Sequence, residues 1–180
     1  MTGQINDRVV YEGETYSLVG EDGEGLFDPA DHGLEVRPLS TACWRGFIAE
    51  YTVVGDRLLL TEVELGLEDP DTEVFGVRPR GRGHGNPPHT GLEIPVDFTG
   101  GLLIGRDFVR DLYVHMGFQA AWKYERVHEL TFENGRLVGS VDRSEEAARE
   151  RAAPPPERPA FDARGFALEW INQTFSRRYR

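Results

Sequence analysis

The chain lacks most of the residues and motifs that mark a catalytic or metal-dependent protein. Cys43 is the single cysteine in 180 residues, which excludes an internal disulfide and suits a reducing compartment. Between Ala42 and Trp44, with no base nearby in sequence, its thiol reads as a small core residue rather than a nucleophile. Lys123 is the sole lysine, and all other basic side chains are arginine, a usage that points to a GC-rich bacterial genome. No run of about 18 apolar residues exists, and the opening MTGQINDR has no apolar signal core, so a cytoplasmic protein without a membrane span is expected. A Gly-x-Ser-x-Gly elbow, a phosphate loop and zinc-ligand pairing are also missing, and no cofactor or metal is expected.

What the chain has in excess is negative charge, glycine and β-forming side chains. Its formal net charge of −11 repels phosphate backbones, which argues against nucleic acid and for a basic protein or a small ligand as partner. With 39% hydrophobic residues, 21 Gly and 11 Pro, it reads as a loop-rich β protein whose length suffices to bury roughly 70% of the unfolded surface. The expected organisation is an antiparallel β domain at 1–143, a short helix and proline-rich linker at 144–161, and an amphipathic helix with a basic tail at 162–180. The expected fold is mainly β, an antiparallel sheet of hairpins curling into a barrel or sandwich, with short helices and a C-terminal helix.

Residues 40–65, STACWRGFIAEYTVVGDRLLLTEVEL, carry the clearest pattern, two strands turning at Gly55-Asp56. That turn pairs Val54 with Arg57, Tyr51 with Leu60 and Phe47 with Glu64, which leaves both faces partly apolar and predicts cover on both sides or a coiled hairpin. A first hairpin turns at Glu12-Gly13, with Val9, Tyr11, Tyr16 and Leu18 on one face. A last one turns at Asn134-Gly135, pairing Phe132 with Leu137, Leu130 with Gly139 and His128 with Val141, and buries Tyr124, His128, Leu130, Phe132, Leu137 and Val141. Between them, 93–104 reads as a hairpin or bent strand around Gly100-Gly101. Residues 106–117 fit about two helical turns, and 144–153 a helix capped by Ser144. The acidic segment 20–33 lacks the ligand spacing of a calcium loop. The Arg-Gly-His-Pro segment 77–91 reads as a mobile loop whose arginines neutralise the acids at 68–73.

The 40–65 stretch, followed later by YVHMGFQAAWKYERVHELTFENGRLVGS, resembles a family of uncharacterised bacterial proteins. The shared features are a Trp-Arg-Gly-aromatic strand, a leucine-rich return strand and a Tyr-Val-His-Met-Gly-aromatic segment before the Asn-Gly hairpin. The resemblance covers about half of the chain, implies a β fold, and supplies no catalytic residue.

The candidate binding residues are Trp44, Arg45, Glu62, Glu64 and Tyr113, at the end of the 40–65 hairpin away from its turn. Arg45 is expected to pair across the strands with Glu62 and Glu64. No residue is assigned as catalytic; the weak candidates for a general base and its carboxylate are His115, His128, Glu125 and Asp97. His32, His84 and His89 are the histidines a metal would need to gather. These features predict a non-enzymatic cytosolic binding protein, of the kind that inhibits or gives immunity to a basic protein, steered by Glu21, Asp22, Glu24, Glu68, Asp69 and Asp71. The alternative is a small β-barrel enzyme with a histidine and carboxylate inside the barrel mouth.

Overall fold

A computed structural model describes residues 3–115 and 117–153; the expected C-terminal helix at 162–180 lies outside them. Eight strands form one sheet: β1 (Arg8–Tyr11), β2 (Glu14–Glu24), β3 (Phe47–Val54), β4 (Arg57–Leu65), β5 (His89–Pro95), β6 (Thr99–Phe108), β7 (Tyr124–Glu133) and β8 (Arg136–Asp142). A single α-helix among the described residues, α1 (Ser144–Ala152), follows β8. The strand order β3-β1-β2-β6-β7-β8-β4-β5, with a further pairing of β3 to β4, closes a ring of hydrogen bonds. The protein is therefore a barrel rather than a sandwich. It is also mixed rather than wholly antiparallel, since β1 runs parallel to β3.

The barrel interior is packed with side chains, among them Val9, Leu18, Tyr51, Leu58, Leu60, Leu102, Ile104, Leu130 and Phe132. Each large apolar side chain taken fully from water contributes about 1.5–3 kcal/mol. Phe27 closes one end, its ring 5.7 Å from that of Phe47 and 6.1 Å from that of Phe75, while its backbone N–H donates to the Tyr51 hydroxyl. At the other end the rings of Tyr11 and Tyr16 flank His128 at 6.0 and 5.7 Å. There Tyr11 Oη donates to Ser140 Oγ at 3.0 Å.

Two bulges correct the expected registers. In the β3–β4 hairpin Val54 pairs with Arg57 and Tyr51 with Leu60, but the ladder then shifts so that Phe47 meets Leu65 instead of Glu64. Thr61 is the extra residue. It rotates the rest of β4 by one position, so Leu58 and Leu60 before it and Val63 and Leu65 after it all face one core. The two half-apolar faces of the sequence are thus largely one apolar face, interrupted by a bulge. In the β7–β8 hairpin Phe132 pairs with Leu137 as expected, but a shift places Ser140 opposite Leu130 and Asp142 opposite His128. Val138 becomes the inserted residue, and Val141 turns out to solvent at 47% exposure instead of joining the core.

Tertiary pairing also overrides the helix expected at 106–117. β6 continues to Phe108 because it pairs with β7 as far as Phe108–Tyr124, and one 3-10 turn at Arg110–Leu112 follows. Gly100 and Gly101 lie inside β6, paired with both β2 and β7; the chain turns instead at 96–98, between β5 and β6. The acidic segment from Gly20 to Glu24 is the end of β2 rather than loop. At α1 the N-cap position is Arg143, without a side-chain cap, rather than the expected Ser144; Asp142 Oδ1 accepts from Ser144 N at 2.8 Å, and Ser144 Oγ accepts from Val127 N.

Candidate functional site

The Trp44–Arg45 end of β3 is held by residues from three distant parts of the chain. Gly46 has φ +81°, and a Cβ on it would meet Arg37 O at 2.6 Å; one on Gly66 would meet the same oxygen at 1.9 Å. Both glycines are needed for close backbone approach, since Arg37 N donates to Gly66 O and Gly66 N to Gly46 O. Beyond this crossing, Arg45 forms a two-pronged ion pair with Asp7, Nη1 to Oδ2 at 2.7 Å and Nη2 to Oδ1. Asp7 is 2% exposed and also accepts from Ala49 N at 2.7 Å. Burial alone pulls the Arg45 guanidinium down, but the Asp7 charge outweighs it and the pKa is raised. Burial pushes the neighbouring Cys43 thiol up, against the opposing pull of Arg45, so it stays protonated, its Sγ 3.3 Å from Phe47 O.

This anchor ties the N-terminal segment down across the outside of the barrel and leaves a cleft of about 320 Å³ between the segment, the sheet and the loop after β6. Ile5, Ile48 and the rings of Phe108, Tyr113 and Tyr124 form its apolar walls; Asn6, Ser17 and Gln119 bring polar groups to it. Asn6 Nδ2 donates to Tyr124 Oη at 3.4 Å. Burial raises the pKa of the Tyr124 phenol, opposed by hydrogen bonds with Ser17 and Asn6, so the group is a neutral hydroxyl. Asn6 Oδ1 is buried with no donor.

Behind the cleft lies Lys123, 2% exposed. Its Nζ donates to Gln119 Oε1 at 2.9 Å and sits 5.4 Å from the Trp122 ring. Burial holds its pKa below the ordinary lysine value. Gln119 is fixed in turn, donating to Val114 O and accepting from Val114 N.

Of the five expected binding residues only Tyr113 lines this cleft, and the other four have different roles. Tyr113 lines it, and its hydroxyl accepts from Gly3 N. Trp44, 67% exposed, lies in a turn before β3, with its backbone N–H bonded to Gln4 Oε1. The expected Arg45 pairing with Glu62 and Glu64 gives way to Asp7, because the β4 bulge moves those acids along the ladder. Glu62 instead holds Arg8 at 2.7 Å, with Glu50 on the Arg8 Nε side at 3.0 Å. Glu64 is buried and receives the backbone N–H groups of His84, Gly85 and Asn86 at 2.9, 2.6 and 3.1 Å, with His84 Nδ1 at 3.2 Å. The segment 84–86, read from sequence as part of a mobile loop, is thus strapped to β4, and it brings His84 to the cleft rim. Of the arginines expected to neutralise the acids at 68–73, Arg78 pairs with Glu73 at 3.6 Å, while Glu68 is met by Arg37 from elsewhere.

The weak catalytic candidates are not gathered. His115 is exposed and stacks edge-on against Tyr113 at 4.9 Å. His128 lies between Tyr11 and Tyr16; Glu125 and Asp97 are exposed on β7 and on the β5–β6 link. The three other histidines also part: His32 stacks on Phe27, His84 reaches Glu64, and His89 Nε2 donates to Thr72 O. Among the described residues no group of three or more His, Cys, Asp or Glu is arranged to hold a metal ion.

Asn6, Asp7, Ser17, Gln119 and Lys123 were not expected at the site. The isolated lysine and the polar run before β1 were the available signals, but neither indicates which segments meet. No family model, curated protein or solved structure matches the chain.

Proposed function

We propose that this is a non-enzymatic binding protein that takes a small ligand in the cleft under its N-terminal segment. The observation that carries the reading is the recess of about 320 Å³ walled by Ile5, Ile48, Phe108, Tyr113 and Tyr124, with Asn6, Ser17 and Gln119 as its polar lining. The charged side chains around it are already committed, Arg8 to Glu50 and Glu62 and Arg45 to Asp7, and the His84 ring is hydrogen-bonded to Glu64, which favours recognition over proton transfer. A ligand-observed NMR screen of the full chain against a mixed small-molecule library tests this. Hits should vanish in a folded Ser17→Trp variant that fills the recess; hits that bind the filled variant equally well sink the reading.

A second reading is an acidic inhibitor of a basic protein, of immunity type. It is favoured by the way Phe27, His32 and Phe75 join the loops after β2 and β4, the first of which carries the exposed acids Asp28 and Asp31 and the second Glu68, Asp69 and Asp71. Capture from the native host should recover a cationic protein whose binding weakens with salt and is lost when Glu21, Asp22, Glu24, Glu68, Asp69 and Asp71 are neutralised. Recovery of no stable partner removes this reading. The enzyme alternative takes His115 or His128 with Glu125 or Asp97 as its carboxylate; His128 pairs instead with Asp142 across the β7–β8 ladder, with the rings of Tyr11 and Tyr16 against it at 6.0 and 5.7 Å. Among the described residues no helix is long and apolar enough to cross a membrane; with a single buried thiol, this is compatible with the cytosolic setting both binding readings take. Membership of the uncharacterised bacterial family rests on the Trp-Arg-Gly-Phe and Tyr-Val-His-Met-Gly segments, of which Tyr113 lines the cleft.

A further inference from the structure

We propose that a second recess, beside the turn at 74–77, binds a small ligand through one phosphate group. This recess, of about 360 Å³, is lined by Glu73, Gly76, Val77, Arg78, Arg80 and Thr90. It shares none of these residues with the cleft under the N-terminal segment, so the inference stands apart from the reading above. It begins from the arginines that the acids at 68–73 do not neutralise. Arg78 meets Glu73 only at 3.6 Å, with both side chains more than half exposed, an ion pair too long for a hydrogen bond and screened by water. Arg80 and Arg82 have no carboxylate partner among the described residues.

The backbone around the recess is tied at several points. Val74 and Val77 exchange both backbone hydrogen bonds at 3.0 Å, closing a turn whose central residues, Phe75 and Gly76, have φ of 54° and 72°, as a primed turn requires. Arg80 N donates to Pro88 O at 2.9 Å, and His89, 1% exposed, bonds Thr72 O through Nε2 at 2.9 Å. Glu64 holds residues 84–86 of the same segment. Arg78 and Arg80, on either side of Pro79, therefore reach one recess from a held backbone, and a site already ordered loses less freedom on binding.

Charge and donor count select the ligand. The guanidinium forks of Arg78 and Arg80 and the Thr90 hydroxyl offer more donors than a carboxylate can take up, whereas a phosphate group brings three strong acceptor oxygens and close to about two negative charges at neutral pH. Glu73 is the acid in the lining and works against an anion; its loose hold on Arg78 is the contact an entering phosphate would replace. With a formal net charge of −11, the chain as a whole repels a polyanion, so the ligand is a small molecule with one phosphate group rather than a nucleic acid.

The test is a titration of the ¹⁵N-labelled full chain with inorganic phosphate and, separately, with acetate, at constant ionic strength so that general screening stays the same. Phosphate should shift the amides of Gly76, Arg78, Arg80 and Thr90 saturably and bind roughly tenfold more tightly than acetate. Arg80→Gln, at an exposed position, should fold normally and weaken phosphate binding roughly tenfold. Arg82→Gln, outside the recess, should leave it unchanged, and Glu73→Gln should tighten it. Absence of saturable shifts at these amides overturns the proposal. Acetate binding as tightly as phosphate removes the phosphate assignment, and an equal loss in the Arg80→Gln and Arg82→Gln variants replaces the site with a diffuse response to loop charge.

Discussion

At the scale of single residues, two buried charges dominate the energetics of the site. Asp7 and Arg45 form a pair whose acid is almost wholly removed from water, so removing one partner strands the other. Asp7→Ala should lower stability by about 3–5 kcal/mol in chemical denaturation. The double variant Asp7→Leu/Arg45→Met should recover a large part of that loss, because no uncompensated charge remains. Lys123 acts in the opposite direction. Its folded pKa lies below its unfolded value because of burial, so between the two the unfolded chain binds more protons and stability rises with pH. Lys123→Met should be the more stable protein near neutrality, and its advantage should shrink as pH climbs toward about 10.4, the ordinary lysine value. Denaturation curves at stepped pH check this; a gap that widens with pH would contradict the assignment.

At the scale of elements, β4 carries two devices on which the site depends. The bulge at Thr61 keeps Val63 and Leu65 in the core while turning Glu62 and Glu64 outward to Arg8 and to residues 84–86. Deleting Thr61 would swap those faces, exposing two core residues and driving two carboxylates inward, so the variant should lack cooperative unfolding in calorimetry. Glu64 supplies one carboxylate to three backbone donors, and Glu64→Leu should strip hydrogen-exchange protection from His84, Gly85 and Asn86 while leaving β6 and β7 protected. Gly105 of β6 shows a similar division. A Cβ there would come within 2.7 Å of the Tyr124 ring, so Gly105→Ala should displace that ring into the cleft and reduce ligand occupancy before it unfolds the barrel. The first hairpin and both later turns were legible, because Glu12-Gly13, Gly55-Asp56 and Asn134-Gly135 act within a few residues. The extension of β6 through Phe108 and the strap on Glu64 were not, because each depends on a distant partner, Tyr124 for the one and residues 84–86 for the other. The bulges were not, because their position is set by which side chains the closed barrel core takes in.

At the scale of the whole molecule, the barrel is closed but unevenly. β6 is paired along its length with β2 and β7, whereas β4 and β8 share the one pair Arg57–Arg136, two like charges side by side. Arg136 is relieved by Asp56 at 3.1 Å, and Tyr11–Ser140 ties β1 to β8. This seam is where the ring should open first, so β8 amides should exchange faster than those of β6 under native conditions. The cleft lies on the far side of the ring from that seam, against β1, β2 and β3, whose pairing and the Asp7–Arg45 anchor keep its walls in place.

The sequence by itself determined the β class, the hairpin turns and the negative balance of charge, since these follow from local backbone preference, side-chain period and simple counting. Tertiary structure alone decided that the sheet closes into a ring, that Arg45 meets Asp7, and that Asn6, Ser17, Gln119 and Tyr124 border one recess. Those contacts join segments up to 118 positions apart. Where such segments meet is set by barrel closure and bulge position, which are properties of the packed sheet rather than of any stretch of chain.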